Sequence, residues 1–397
     1  MNPFESNIKK YYAYYFFRMF VVLIPFIIAY MGGFGFSMTQ LMLIVGGMSV
    51  TITLMEIPSG YLADRIGRKN ILILGAAINI ISATTFYFSE SFIGFLLGEI
   101  FLGLAISCFS GADTALVYDS LLEIKKEKEF KKIESKRVWI SEISVILASI
   151  LGTIIVKYYN MRMTILATLI ISIPLFIITL TFHEPKKKKE KKRNFLEEIT
   201  NLKNVVMKSI RHKELLSLFI YLFFVLGISN TIFVFNQPYF VAVNVDPIYF
   251  GIIFAVFSMV TGITGYFTTR LEKKLGMKGS LILNPILLIA TLIGLTVFFG
   301  KIGIVFFLLR EFVRGFIFPT TGDYVNRLIE SKDRATVNSV GSMFSRMGYL
   351  ITALIYGVLT DLFSMQAGIF SLAILLIIPS IITITVMNKK SKKISTI

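Results

Sequence analysis

The chain has 397 residues, 55% of them hydrophobic and only 16% charged, with a mean hydropathy of +0.74, whereas soluble domains carry about 25% charged residues. The net charge of +17 is spread over short polar gaps between apolar runs, which excludes a nucleic-acid-binding face. The single cysteine, Cys108, lies inside an apolar run and excludes an intrachain disulfide.

The apolar runs are about 20 residues long, the length that crosses roughly 30 Å of hydrocarbon. They predict an all-α integral membrane protein of twelve transmembrane helices in two six-helix halves. The expected spans are 11–32, 39–63, 70–88, 92–120, 137–157, 162–182, 213–240, 247–270, 279–299, 302–327, 335–361 and 365–387. The halves are residues 1–183 and 213–397, joined by a basic linker over 184–212. The opening MNPFESNIKKYYAYYFF lacks the apolar core and cleavage site of a signal peptide and reads as a retained first helix. With the N-terminus in the cytoplasm, 34 of the 41 Lys and Arg residues are cytoplasmic, and Lys157, Arg162 and Lys301 are outside. Arg18, Arg310, Arg314 and Arg346 fall within spans. That bias predicts a multi-pass protein with both termini inside, and the Ile- and Lys-rich, Ala-poor composition fits a low-GC prokaryote or a thermophile, so a prokaryotic plasma membrane is the expected location.

In chain order, span 1 carries Arg18, about 10 Å from the cytoplasmic end at 1.5 Å per residue. Span 2 carries Glu56 and ends in GYLADRIGRK, Gly60 to Lys69. So short a loop makes its flanking helices antiparallel neighbours and puts Asp64, Arg65, Arg68 and Lys69 at a water interface. Span 4 carries Glu99 in its outer half and Asp113 in its inner half. Their spacing of fourteen residues (113 − 99) is close to four helical turns, so both lie near one face with Ser110. Asp113 matches Arg18 in depth, so the two are expected to pair. The linker opens with EPKKKKEKKR, Glu184 to Arg193, a solvated charge run that faces lipid headgroups. Span 7 contains Asn230, Asn236, Gln237 and Pro238, and is expected to break at the proline. Span 10 carries Arg310, Glu311 and Arg314 at helical neighbour spacing.

The halves repeat. GYLADR at 60–65 matches GYFTTR at 265–270, GEIFLG at 98–103 matches REFVRG at 310–315, and LVYDSLLE at 116–123 matches DYVNRLIE at 323–330. Three matches in one order at nearly one offset indicate duplication. A parallel repeat of this kind places a substrate path where the halves meet, near mid-membrane.

GYLADRIGRK with its preceding EIPS, the six-plus-six layout, the long central loop and the second copy GYFTTRLEKKLG resemble the major facilitator superfamily. The resemblance implies a secondary transporter that works by alternating access, is monomeric and needs no cofactor or metal. It implies that Asp64 caps or pairs near the start of span 11, that Gly60 and Gly67 permit the tight turn, and that Arg65, Arg68 and Lys69 form cytoplasmic pairs. It also places spans 1, 4, 7 and 10 around a central cavity and span 2 against span 11, which makes Glu56 and Arg346 a candidate gate pair. Two positions depart from the family's drug–proton antiporters. Gly152 in span 5 has no following proline, and Glu99 stands where an arginine is common, four residues before Gly103.

Ionisable residues at bilayer depth are costly and usually mark a pathway. Glu99 is the first expectation for proton coupling and Asp113 the second. Glu311, the counterpart of Glu99 in the repeat, is either a second such site or is neutralised by its neighbouring arginines. Few polar groups in the cavity spans argue against a sugar. Acidic residues among aromatics suit a lipophilic cation, whereas Arg18, Arg310 and Arg314 suit an organic anion. The leading expectation is proton-coupled efflux of a hydrophobic, drug-like compound. The alternatives are an organic-anion or nutrient carrier, proton- or sodium-coupled or facilitative, and, in another class, a non-transporting receptor or scaffold. No phosphate loop, metal cluster or nucleophile–base motif points to an enzyme, and His183 and His212 merely flank the linker. The expected partners are a small-molecule substrate, a coupling ion with H+ favoured, and membrane lipid, with no nucleic acid.

Overall fold

A computed structural model describes residues 3–185, 200, 203, 205–207, 209, 211–329 and 334–394. Much of the basic linker, including EPKKKKEKKR beyond Pro185, lies outside the described residues. All regular elements among the described residues are helical: α1 (Pro3–Met19), α2 (Ile27–Gly32), α3 (Met38–Ile66), α4 (Arg68–Phe88), α5 (Phe92–Phe109), α6 (Ala112–Glu123), α7 (Phe130–Tyr158), α8 (Met161–Thr181), α9 (Lys213–Tyr221), α10 (Gly227–Ala242), α11 (Phe250–Val297), α12 (Phe307–Arg327), α13 (Arg334–Leu362) and α14 (Met365–Ile394).

Eight helical stretches among the described residues are long and apolar enough to cross a membrane. One of them, Pro247–Val297, has 51 residues, enough for two crossings, and bends at Gly276, where φ is +64°. The other crossings are less regular. α1 and α2 form one interrupted crossing, α12 carries five charged residues along its length, and α14 is apolar over Met365–Ile381. Together they make the twelve crossings of the expected architecture.

Three elements differ from the sequence expectation. The first span is not one helix, because Pro25 removes a backbone donor and disfavours helix at the preceding residue, leaving Phe20 to Phe26 irregular. The fourth span breaks at Gly111, whose φ of +77° only glycine adopts cheaply, so Glu99 on α5 and Asp113 on α6 do not share one continuous helix face. The seventh span does not break at Pro238, which α10 accommodates. Its irregularity is a π turn at Leu222–Leu226. There α13 packs backbone to backbone, and a Cβ added at Gly227 would stand 2.6 Å from the Gly348 carbonyl carbon.

The chain divides into two compact units. Unit 1 comprises Met1–Gly35, Gly47–Glu198 and Pro247–Val256, and unit 2 comprises Phe36–Gly46, Ile199–Asp246 and Phe257–Ile397. Unit 1 has a core of Tyr11, Tyr14, Tyr15, Phe109 and Phe182, with Tyr14 edge-on to Tyr15, Phe109 and Phe182. Unit 2 has its own aromatic core, in which Phe307 meets Phe235, Tyr239, Phe240 and Phe257. Its segment from α3 is fixed at the helix start, where the Asp361 carboxylate accepts the Met38 and Thr39 N–H groups at 2.8 Å each.

The internal repeat has a packing counterpart. Gly103 of α5 lies against α3, where an added Cβ would come within 2.8 Å of the Met48 carbonyl oxygen. Gly315 of α12, its partner in the repeat, lies against α11, where an added Cβ would come within 2.5 Å of the Thr261 carbonyl oxygen.

Candidate functional site

The signature loop is built around Gly67, which turns at φ +98° between α3 and α4. Gly67 has no side chain to cap the next helix. Glu184, just beyond α8, supplies the cap instead: its carboxylate accepts the Arg68 N–H at 2.9 Å and the Lys69 N–H at 2.7 Å. A carboxylate is favoured at that helix end by both hydrogen bonding and the helix dipole. The Arg68 side chain pairs with Asp119 of α6 and donates to the Ala115 carbonyl oxygen at 2.5 Å. Arg65 lies over the Tyr61 ring at 4.8 Å. Asp64 and Gly60 are exposed on the last turns of α3. Residues 330–333, leading into the expected start of span 11, lie outside the described residues. Glu56 lies on α3 in unit 1 and Arg346 on α13 in unit 2.

Unit 1 holds a buried ion pair. Arg18, in the last turn of α1, donates to Asp113, in the first turn of α6. The break at Gly111 is what presents Asp113 at a helix start, where a negative charge is favoured. Asp113 also receives the Tyr15 hydroxyl at 2.7 Å and its neighbour Thr114 N–H at 2.6 Å. The Arg18 guanidinium lies over Phe109 at 4.8 Å and over Tyr15 at 5.4 Å. On Tyr15 also sits Arg137 of α7, 4.6 Å from the ring centre, bonded to Glu134 at 2.8 Å. Glu134 in turn accepts the Tyr11 hydroxyl at 2.5 Å. A string of charged and phenolic groups therefore runs from Glu134 to Arg18.

Glu99 is buried in α5, at 5% exposure, with no hydrogen bond or ion pair among the described residues. Its neighbour Gly98 packs against Phe86, and the Gly98 carbonyl accepts the Ser82 hydroxyl at 2.8 Å.

Unit 2 holds the second charged cluster. Glu311 is buried and receives Arg310, the Thr261 hydroxyl at 2.9 Å and Arg314 at 3.5 Å. Arg310 is buried too, and its Nε donates to the Ser229 carbonyl of α10 at 3.0 Å. Phe233 underlies both guanidiniums, at 5.0 Å from Arg310 and 5.8 Å from Arg314. Asn236 is buried on α10 with neither atom of its amide hydrogen-bonded, while Asn230 on the same helix is part-exposed.

The structure thus joins Arg18 to Asp113 and Arg310 and Arg314 to Glu311, and leaves Glu99 alone. Sequence reasoning missed Tyr15, Glu184 and Asp361. Tyr15 stands one turn before Arg18, so a helical spacing connected them. Glu184 read as the first residue of a solvated run, and Asp361 as an ordinary end of a span.

The Major Facilitator Superfamily model matches residues 12–320. An uncharacterised MFS-type transporter of Bacillus subtilis (strain 168), YxaM, is 24% identical over 383 residues, covering 92% of this chain and 91% of its own length. An uncharacterised transporter of Buchnera aphidicola subsp. Acyrthosiphon pisum (strain APS), BU466, is 30% identical over 192 residues, or 47% of this chain and 46% of its own. Among solved structures, the nucleoside transporter NupG superposes with a TM-score of 0.77 at 14% identity, covering 98% of this chain and all of that one. A bacterial homologue of the human lysosomal transporter Spinster, inward-facing and unoccupied, gives 0.77 at 14% identity, covering 97% of both chains. Membrane-crossing helices that hold buried charge pairs fit a carrier. The chain belongs to the Major Facilitator Superfamily and is a multi-pass secondary transporter of a small molecule, not an enzyme.

Proposed function

We propose that the protein exports a hydrophobic, drug-like compound in exchange for protons, by alternating access, as a monomer in a prokaryotic plasma membrane with both termini cytoplasmic. The observation that carries this reading is Glu99. An ionised carboxyl buried without a partner is costly, whereas a protonated one is uncharged. A residue that must gain and lose a proton each cycle fits such a place, and a structural carboxylate does not. Glu311 is committed to two arginines and Thr261, and Asp113 to Arg18 and Tyr15. Glu99 is therefore the first proton site and Asp113 the second.

The loop from Gly60 to Lys69 acts in this reading as the gating element, with Asp64 changing partners between states and Arg68 held to Asp119. Glu56 and Arg346 are proposed as a further pair on the gate side. The basic linker serves to hold topology against anionic headgroups.

The test is reconstitution in liposomes with a pH-sensitive dye inside, challenged with lipophilic compounds of either charge. Substrate-dependent proton movement that Glu99→Gln abolishes supports the reading. Substrate movement with no proton movement, equal in parent and Glu99→Gln, refutes coupling through Glu99.

A further inference from the structure

We infer that the transported compound is a monovalent organic anion, a carboxylate on a flat apolar body, and that Arg314 is its principal contact. This rests on the carrier reading above and names its substrate class.

The charges of the Arg310–Glu311–Arg314 cluster do not balance. Arg310 and Arg314 bring two positive charges and Glu311 one negative, leaving one positive charge (2 − 1). In unit 1, Arg18 and Asp113 cancel. The surplus can be assigned to one residue. Arg310 is satisfied by Glu311 and Ser229, and both members of that pair are buried. Glu311 already accepts from Arg310 and Thr261. Arg314 reaches it only at 3.5 Å, and its side chain stays 35% exposed against 3% for Arg310. The unbalanced cation is therefore the accessible one. A charge near mid-span needs a counter-charge, and a guanidinium takes a carboxylate through two parallel N–H···O bonds.

The surroundings favour a flat body. Phe233 lies beneath both guanidiniums. Ser229, Phe233 and Asn236 fall at i, i+4 and i+7 on α10, along one face. Asn236 lies one turn beyond Phe233, buried, with its amide unpaired. Buried amides are normally hydrogen-bonded, so this one suits a ligand with a polar atom. A cationic substrate would meet two arginines whose only carboxylate partner among the described residues is already engaged.

The experiment uses the full chain in detergent and matched ligands that share a body and differ in charge: 1-naphthoate, 1-naphthamide and 1-naphthylmethylammonium, with benzoate and a medium-chain fatty acid as further carboxylates. Binding is read by titration calorimetry. The expected result is that at least one carboxylate binds tenfold or more tighter than its amide and amine. Arg314→Gln should remove that preference, Arg314→Lys should retain part of it, and Asn236→Leu should weaken binding several-fold. Arg314→Lys keeps the charge and guards against a variant that simply misfolds. Equal or tighter binding of the amide or amine, binding unaffected by Arg314→Gln, or no binding of any carboxylate overturns the inference. The liposome assay separates the two readings. Solute-driven flux evoked only by the amine removes the anion and leaves the carrier. Tight carboxylate binding without flux of any solute removes the carrier and leaves the anion site.

Discussion

The Tyr15 hydroxyl donates to Asp113 Oδ2 at 2.7 Å, the same oxygen that receives Arg18. The phenol therefore shares in holding a buried ion pair, and its ring also supports Arg137. Hydrogen bonds to charged groups contribute about 1.5–3 kcal/mol. Tyr15→Phe should keep the ring contacts and lose stability within that range, measured as a drop in the unfolding midpoint of detergent-solubilised protein. An unchanged midpoint would mean that Arg18 alone suffices for Asp113.

Breaking the pair should cost more than removing it. Asp113→Asn leaves Arg18 buried without a counter-charge, which typically costs about 3–5 kcal/mol. The double variant Arg18→Gln with Asp113→Asn should recover part of that loss. A double-mutant cycle with no coupling between the two positions would contradict the ion pair.

At Glu99 the expected sign is opposite. The carboxyl has no partner to lose, so Glu99→Gln should leave stability equal or slightly higher while proton flux disappears. A large drop in thermal stability would show that Glu99 is a structural group.

The turn at Gly67 makes two separable predictions. Gly67→Ala forces a side chain into an extended backbone conformation with positive φ that is essentially reserved for glycine, at about 1–3 kcal/mol, and brings a Cβ to 3.1 Å from the Glu184 carboxyl. Glu184→Gln should lose part of the cap, within the roughly 0.5–2 kcal/mol range of capping residues. Amide exchange at Arg68 and Lys69 should speed up in both variants and stay slow in a control at exposed Asp64.

Asp361 caps α3 in the same manner, with two bonds of 2.8 Å. Asp361→Ala should raise exchange at Met38 and Thr39 and lower stability by about 1 kcal/mol. No change in exchange at either amide would rule the cap out.

Membrane-crossing segments were legible because hydrocarbon thickness sets their length, and the matching depth of Arg18 and Asp113 was legible because helical rise is constant. Breaks were harder to read. Pro25 interrupts its span, yet Pro238 does not, since a proline's effect depends on whether neighbours can absorb the lost donor. Gly111 split a span that looked continuous, because a glycine's sequence context does not reveal its φ. Long-range caps such as Glu184 were invisible, because their partners are backbone N–H groups more than a hundred residues away and backbone groups carry no sequence signal. The charge surplus at Arg310, Glu311 and Arg314 could be counted from the sequence. Which arginine was left over could not, because that depended on Ser229 and Thr261 reaching in from other helices.

The cap on α4 bears on how such carriers can be recombined. The ten-residue signature loop looks like a self-contained cassette, but its second helix is started by a side chain 116 positions downstream of Arg68. A chimera that moves the loop into a relative lacking an acidic residue at the equivalent of position 184 would receive the string without its foundation. The heritable module is therefore the loop together with that distant glutamate.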